Sequence, residues 1–173
     1  MKNLFWTLFA LILLAGISCQ DKQTTAELNE LKSREKLEEN NKELVSNYFN
    51  ELCKTKPDDL AVFLTKFISL DYILHLPGEE IRGMEGLVDH YASSMKNFPN
   101  FEQPIYDIIA DGNKVAFRGE FIATQSNGNV IKSTFSGFWQ IKDGKIVEWW
   151  SEYDALGMMQ QLGMELKPVE NKK

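Results

Sequence analysis

Residues 105–153, IYDIIADGNKVAFRGEFIATQSNGNVIKSTFSGFWQIKDGKIVEWWSEY, decide the fold. Apolar and polar side chains alternate through this stretch with a period near two, the spacing of a strand that buries one face. The pattern breaks at Asp111-Gly112, Asn127-Gly128 and Asp143-Gly144, dipeptides that accept the positive φ of tight hairpin turns. The breaks delimit four antiparallel strands: Ile105 to Ala110, Lys114 to Gln125, Val130 to Lys142 and Lys145 to Tyr153. Strands of this length twist, and a twisted sheet curls to give a concave face.

Upstream the period changes to three-and-four. Val45, Tyr48, Phe49, Leu52 and Cys53 mark one helix face from about Glu43. Pro57 opens a second helix with Asp58 and Asp59 in its first turn, where they meet the positive end of the helix dipole; its buried stripe is Leu60, Phe63, Leu64, Phe67 and Ile68. Tyr72 to Leu76 reads as a strand closed by Pro77-Gly78, and Met84 to Phe98 as a third helix stopped by Pro99. The result is an α+β cone: a curved antiparallel sheet packed on three helices from the N-terminal half, with room for a cavity between the layers.

The chain has 173 residues, an apolar share of 43%, 11 Phe and 4 Trp, enough for one domain and its appendages. Its net charge is −6, from 19 basic and 25 acidic residues, and the basic residues form no stripe. Nucleic acid is therefore excluded as an expected partner. Residues 1–18 read as an export signal: Lys2, an apolar run from Leu4 to Leu14 interrupted only by Thr7, then small residues Ala15, Gly16 and Ser18. Gly16-Ile17-Ser18-Cys19 resembles the lipobox of bacterial lipoproteins. That resemblance implies acylation of Cys19 and anchoring in a bacterial cell envelope; cleavage without lipidation is the alternative. Residues 19–42 read as a polar, partly helical tether, 43–163 as the domain and 164–173 as a tail. Cys53 reads as a small buried hydrophobe, since the sequence around it offers only Lys54 and Lys56 and no partner histidine for a nucleophile.

Several runs keep a familiar order. Tyr72-Ile73-Leu74-His75-Leu76-Pro77-Gly78 comes first, then Gly83, Gly86-Leu87 and Phe98-Pro99. Asp111-Gly112-Asn113-Lys114-Val115-Ala116-Phe117-Arg118 follows, then Asp143 to Trp150, and finally Asp154 with Gln161-Leu162-Gly163. Over Glu43 to Gly163 this resembles the SnoaL-like polyketide cyclases of the nuclear transport factor 2-like superfamily. The resemblance implies that Asp154, at the end of the last strand, is a general acid or base and that His75 is a pocket histidine. A carboxylate in an apolar hollow has its pKa raised by lost hydration, which suits it to proton transfer beside a carbonyl. Asp154 also precedes a short helical segment, Ala155 to Leu162, for which Asp is a favoured N-cap.

Arg118, Glu120 and Asp154 resemble the Arg-x-acid pair and second acid of limonene-epoxide-hydrolase-like proteins, with Glu120 where those carry Asp. An ion pair on the solvent face of the sheet is the competing reading. Trp150 and Tyr106 are further candidates for lining the hollow, Trp149 and Trp150 falling on opposite faces. His90 lies off the apolar stripe of its helix and is expected in solvent. No metal and no cofactor are expected, because neither histidine has further ligands at metal spacing. Two functions stay open: a cyclase, isomerase or hydrolase acting through Asp154, and a tethered module that binds a small apolar molecule without changing it. Pairing of two copies through the sheet stays open beside both.

Overall fold

The computed structural model describes residues 2–125, 127–165 and 167, with side chains described from residue 23 onward. The export signal and Cys19 lie outside the residues whose side chains are described, as does most of the tail. The chain forms two compact units, Met1–Leu37 and Glu38–Lys173.

Helix α1 runs Lys2–Leu52. Residues 23–52 contain neither Gly nor Pro, so nothing in their backbone interrupts the i to i−4 ladder, and the segment expected to be partly helical is helical throughout. Side chains 23–37 are all exposed. Contact with the sheet begins at Glu38, ahead of the apolar stripe and through polar groups. The Gly112 N–H donates to Glu38 Oε1 at 2.9 Å, and Asn41 Nδ2 donates to the Gly112 carbonyl at 2.8 Å. Val45, Tyr48, Phe49 and Leu52 follow, all fully buried.

A 3-10 turn at Pro57–Asp59 leads into α2, Leu60–Phe67, which buries Leu60, Phe63, Leu64 and Phe67. Strand β1 spans Ile68–Leu76 and turns at Gly78 (φ +80°) into β2, Glu79–Arg82. Helix α3, Gly83–Asn97, buries Leu87, Tyr91 and Met95. A two-residue strand β3, Phe101–Glu102, precedes β4 (Ile105–Asp111), β5 (Lys114–Thr124), β6 (Val130–Lys142) and β7 (Lys145–Tyr153). Helix α4, Ala155–Gln161, closes the described order. Lys145 Nζ donates to the Thr65 carbonyl at 2.8 Å, so the start of β7 satisfies a free carbonyl at the end of α2.

The sheet order is β2-β1-β7-β6-β5-β3, with β4 also paired to β5. The meander β4 to β7 is antiparallel, as expected. The sheet as a whole is mixed, because β1 runs parallel to β7; a parallel partner joined through a long crossover leaves no hairpin signal in the sequence. Register shifts between Ile105 and Asp107 and between Gln140 and Ile141 add the local bends that help the sheet curve.

The core is aromatic. Trp139 is fully buried, stacks on Phe49 (5.3 Å, 20°) and meets Tyr48, Phe117 and Trp149 edge-on at 5.0, 5.1 and 5.6 Å. Trp149 lies flat against β6 because residue 137 is Gly: a Cβ there would stand 2.6 Å from Trp149 Nε1 and 2.4 Å from the Trp150 carbonyl. Cys53 is half-buried, and burial pushes its thiol pKa up, which suits packing and disfavours nucleophilic attack. In urea melts, Trp139→Ala is expected to lose about 3–5 kcal/mol and Gly137→Ala about 1–3 kcal/mol through overpacking. Losses below 1 kcal/mol for both would contradict this core.

Candidate functional site

Alternation along β7 sets which side chains face the helices. Trp149, Ser151 and Tyr153 face inward, and Glu148, Trp150 and Glu152 face outward. The β6 register Trp139↔Trp149, Gly137↔Ser151 and Phe135↔Tyr153 continues the inward row across the sheet. Between that row, α3 and α4 lies a cavity of about 230 Å³. Its apolar wall is Leu74, Leu76, Phe98, Phe121, Phe135, Trp149 and Met158. Ser133 and Ser151, each at least nine-tenths buried, widen it by being small where neighbouring inward positions are large. Among the described residues, no Asp, Glu, Lys or Arg lines it.

The remaining lining is polar but held uncharged. Tyr91 shares a 2.6 Å hydrogen bond with Tyr48, and burial raises both phenols well above their ordinary pKa, so they are neutral donors and acceptors. Burial lowers the pKa of His90, partly opposed by the charge of Glu79. Gln103 Oε1 and the indole N–H of Trp149 are buried without a hydrogen-bond partner among the described residues.

None of the residues singled out in the sequence lines this cavity. His75 lies on the outer face, stacked on Trp150 (5.1 Å, 11°), with Nε2 2.8 Å from Glu148 Oε1 and Nδ1 3.1 Å from Glu80 Oε2. Trp150 is 42% exposed. Arg118 pairs with Asp107, not with Glu120, and its guanidinium stands 6.0 Å from the ring centroid of Tyr106. Glu120 accepts a 3.1 Å hydrogen bond from the Tyr106 hydroxyl, a bond that raises the phenol's pKa. Asp154 is exposed and accepts the Gly157 N–H at 2.8 Å, capping α4. It borders a shallow outer groove together with Tyr106, Arg118 and Glu152.

The carboxylate expected to point inward is therefore a helix cap on the outside. His75 has Trp150, four residues before Asp154, as its register partner. The structure joins His75 to Trp150, and it gathers Tyr106, Glu120 and Arg118 beside the outer groove, which shares Phe135 and Tyr153 with the chamber. His90, expected in solvent, is half-buried at the chamber wall. The stripe next to it packs on the sheet, while His90 faces the place where packing stops. The legible signal was the pair of small polar residues at inward positions, Ser133 and Ser151, which opposes full packing.

A curved sheet closed by helices around an apolar chamber defines the nuclear transport factor 2-like fold. The family model described as SnoaL-like polyketide cyclase matches residues 44–162, and the chain belongs to that family. Among solved structures, a candidate SnoaL-like polyketide cyclase from a Jannaschia species superposes with a TM-score of 0.67 at 16% identity, covering 75% of this chain and 96% of that one. IdmH from Streptomyces antibioticus, a candidate polyketide cyclase, gives 0.63 at 25% identity, covering 72% and 99%. An LEH-like epoxide hydrolase from M. tuberculosis gives 0.60 at 19% identity, covering 72% and 90%. No functionally curated protein matches the chain significantly in sequence.

Two measurements check the placement of these groups. With its pKa lowered in the fold, His90 binds a proton more readily in the unfolded chain. Stability is therefore lost as pH falls through the ordinary histidine value of about 6.5 toward the folded pKa. The wild type is expected to lose more stability than His90→Gln between about pH 7 and pH 5; equal losses would place His90 in solvent. Asp154→Ala is expected to lose about 1 kcal/mol of stability, the value of a helix cap, with Asp154→Asn close to wild type in the same urea melts.

Proposed function

We propose that the domain binds a small, mostly apolar molecule in the chamber and holds it without chemical change. The observation that carries this reading is the composition of the wall: aromatic and aliphatic surface, a few neutral polar groups and no carboxylate or ammonium. A ring closure or epoxide opening needs a group that moves a proton at the reacting atom, and the acid implied by resemblance stands outside as a helix cap. The fold of relatives titled as polyketide cyclases and an epoxide hydrolase supports a pocket for small organic molecules; fold alone does not carry their chemistry. An enzymatic reading survives in one form, with His90, whose imidazole burial holds below its ordinary pKa, as the acid or base.

The same reading places the domain at a bacterial cell envelope, exported by residues 1–18, acylated at Cys19 and held off the membrane by the tether 19–42. The sequence around Gly16-Ile17-Ser18-Cys19 supports it. Mass spectrometry of membrane-extracted protein is expected to find acyl chains on an N-terminal Cys19, and Cys19→Ala to move the protein to the soluble fraction. Pairing of two copies through the outer sheet face is supported by the exposed Ile109, Phe138 and Trp150 there.

Calorimetric titration with 2-phenylethanol, an apolar ring with one hydroxyl, tests the chamber. Binding is expected, with a loss of at least about 10-fold in Leu76→Trp and Ser151→Phe, which fill the space. Asp154→Asn and Arg118→Ala are expected to bind like wild type. Turnover of a carbonyl or epoxide panel that stops in Asp154→Asn would overturn the non-catalytic reading.

A further inference from the structure

Helix α4 is the least secured of the elements around the chamber. The long strands that line it are held by sheet pairing, and α3 buries Leu87, Tyr91 and Met95. No residue of α4 is buried, and Leu156 and Met159 are each 45% exposed. A helix this short is not stable by itself in water, so its position depends on what fastens it. Met158 lines the chamber, and Met158 and Leu162, one turn apart, pack on Phe98, Ala123 and Ile131. The polar fastening is Gln161. Its Oε1 accepts the Lys132 N–H at 2.9 Å, and its Nε2 donates to the Lys132 carbonyl at 2.8 Å and to the Gly157 carbonyl at 3.0 Å. The pairing of β6 with β7 ends at Phe135↔Tyr153. Beyond that point the amide of Gln161 takes the place of a neighbouring strand on β6.

Resting on the ligand-binding reading above, we infer that α4 is the door of the chamber and that the pairing of Gln161 with Lys132 is its latch. The helix is complete within itself. Asp154 caps its start through the Gly157 N–H, and at its end the Gly163 and Met164 N–H groups donate to the Gln160 and Met159 carbonyls. The positive φ of Gly163 (+81°) permits that closure. The helix can therefore leave the sheet as one body, turning at Asp154, whose own N–H stays on the Thr134 carbonyl at 3.1 Å. Among the described residues, the hydrogen bonds between the body of α4 and the sheet are the two of Gln161 to Lys132. Hinge and latch thus stand at opposite ends of the helix, and opening withdraws Met158 from the chamber wall. Size supplies the need for a door. The chamber holds about 230 Å³, less than the roughly 300–1,000 Å³ of ordinary small-molecule sites, so a ligand that fills it exchanges when a wall moves. Elements that move to admit ligands are the weakly held parts of a structure, and α4 is the weakly held wall here.

Temperature-jump relaxation of tryptophan fluorescence, with Trp149 as the reporter in the chamber wall, measures the exchange of 2-phenylethanol on the microsecond to millisecond scale of lid motions. The relaxation rate is expected to level off at high ligand concentration, at the opening rate of α4. In Gln161→Ala that level is expected about 10-fold higher, the effect of losing one or two neutral hydrogen bonds net of solvent. The dissociation constant should stay within about 2-fold of wild type, because free and bound protein lose the same latch. Gln161→Glu keeps an acceptor for the Lys132 N–H but no donor for its carbonyl, and is expected to fall between the two. Gln160→Ala, an equal change at an exposed position of the same helix, is expected to keep wild-type rates. An unchanged level in Gln161→Ala, or one raised as much by Gln160→Ala, refutes the latch and leaves the chamber standing. A rate that grows linearly with ligand and never levels off refutes the door. If calorimetry shows that 2-phenylethanol does not bind, the chamber reading fails and takes this inference with it.

Discussion

The pairing of β6 with β7 governs the interior. Trp139 opposes Trp149, Gly137 opposes Ser151 and Phe135 opposes Tyr153, so one inward row alternates very large with very small side chains. Trp139, Trp149 and Phe135 are locked by ring contacts to Phe49 of α1, Gly137 makes room for the Trp149 ring, and Ser151 leaves volume that belongs to the chamber. A slip of one residue in this register would exchange the faces. If β7 is the strand that slips, Trp150 turns inward together with Glu148 and Glu152, burying charges with no partners in the core. That penalty makes the register strongly specified, and the chamber with it.

Around that row the helices play unequal parts. α1 contributes the aromatic floor and, through Glu38 and Asn41, grips both backbone polar groups of Gly112 at the β4–β5 turn. α3 contributes Tyr91, tied to Tyr48, and then His90 and Ser94 at the boundary of the chamber. The outer face of the sheet is a separate environment. There His75, Glu148, Glu80 and Arg82 form a chain of charged contacts beside exposed aromatic rings. Polar groups with ionisable character are thus plentiful outside and almost lacking within. Chemistry that needs a buried carboxylate has no such group in this chamber; binding driven by apolar contact and a few neutral hydrogen bonds has all it needs.

Much of the fold was legible because its signals are local. Asp-Gly and Asn-Gly turns, strand alternation and the stripes of α2 and α3 each involve residues close in sequence, and β6 and β7 end where the pattern predicts. The short strands β2 and β3 and the parallel pairing of β1 with β7 were not legible, since they depend on partners distant in the chain. The candidate site read poorly for a related reason. Resemblance located Asp154 at the end of the last strand but not the direction of its side chain, which local capping of α4 decides. His90 was passed over because periodicity reports which residues pack, and a chamber is lined by residues at the edge of the packed stripe. Ser133 and Ser151 held the usable clue, small residues at inward positions of long strands.

The family relationship and the chamber agree on a pocket for a small organic molecule, and among the described residues its wall is apolar with a few polar groups. The most direct measurement is a crystal structure of the protein soaked with 2-(4-bromophenyl)ethanol, with the bromine located by its anomalous signal. The expected result is a single strong peak among Trp149, Phe121 and Phe135, with the hydroxyl toward His90. A peak in the outer groove beside Asp154, with the chamber collapsed or empty, would contradict the account at its centre.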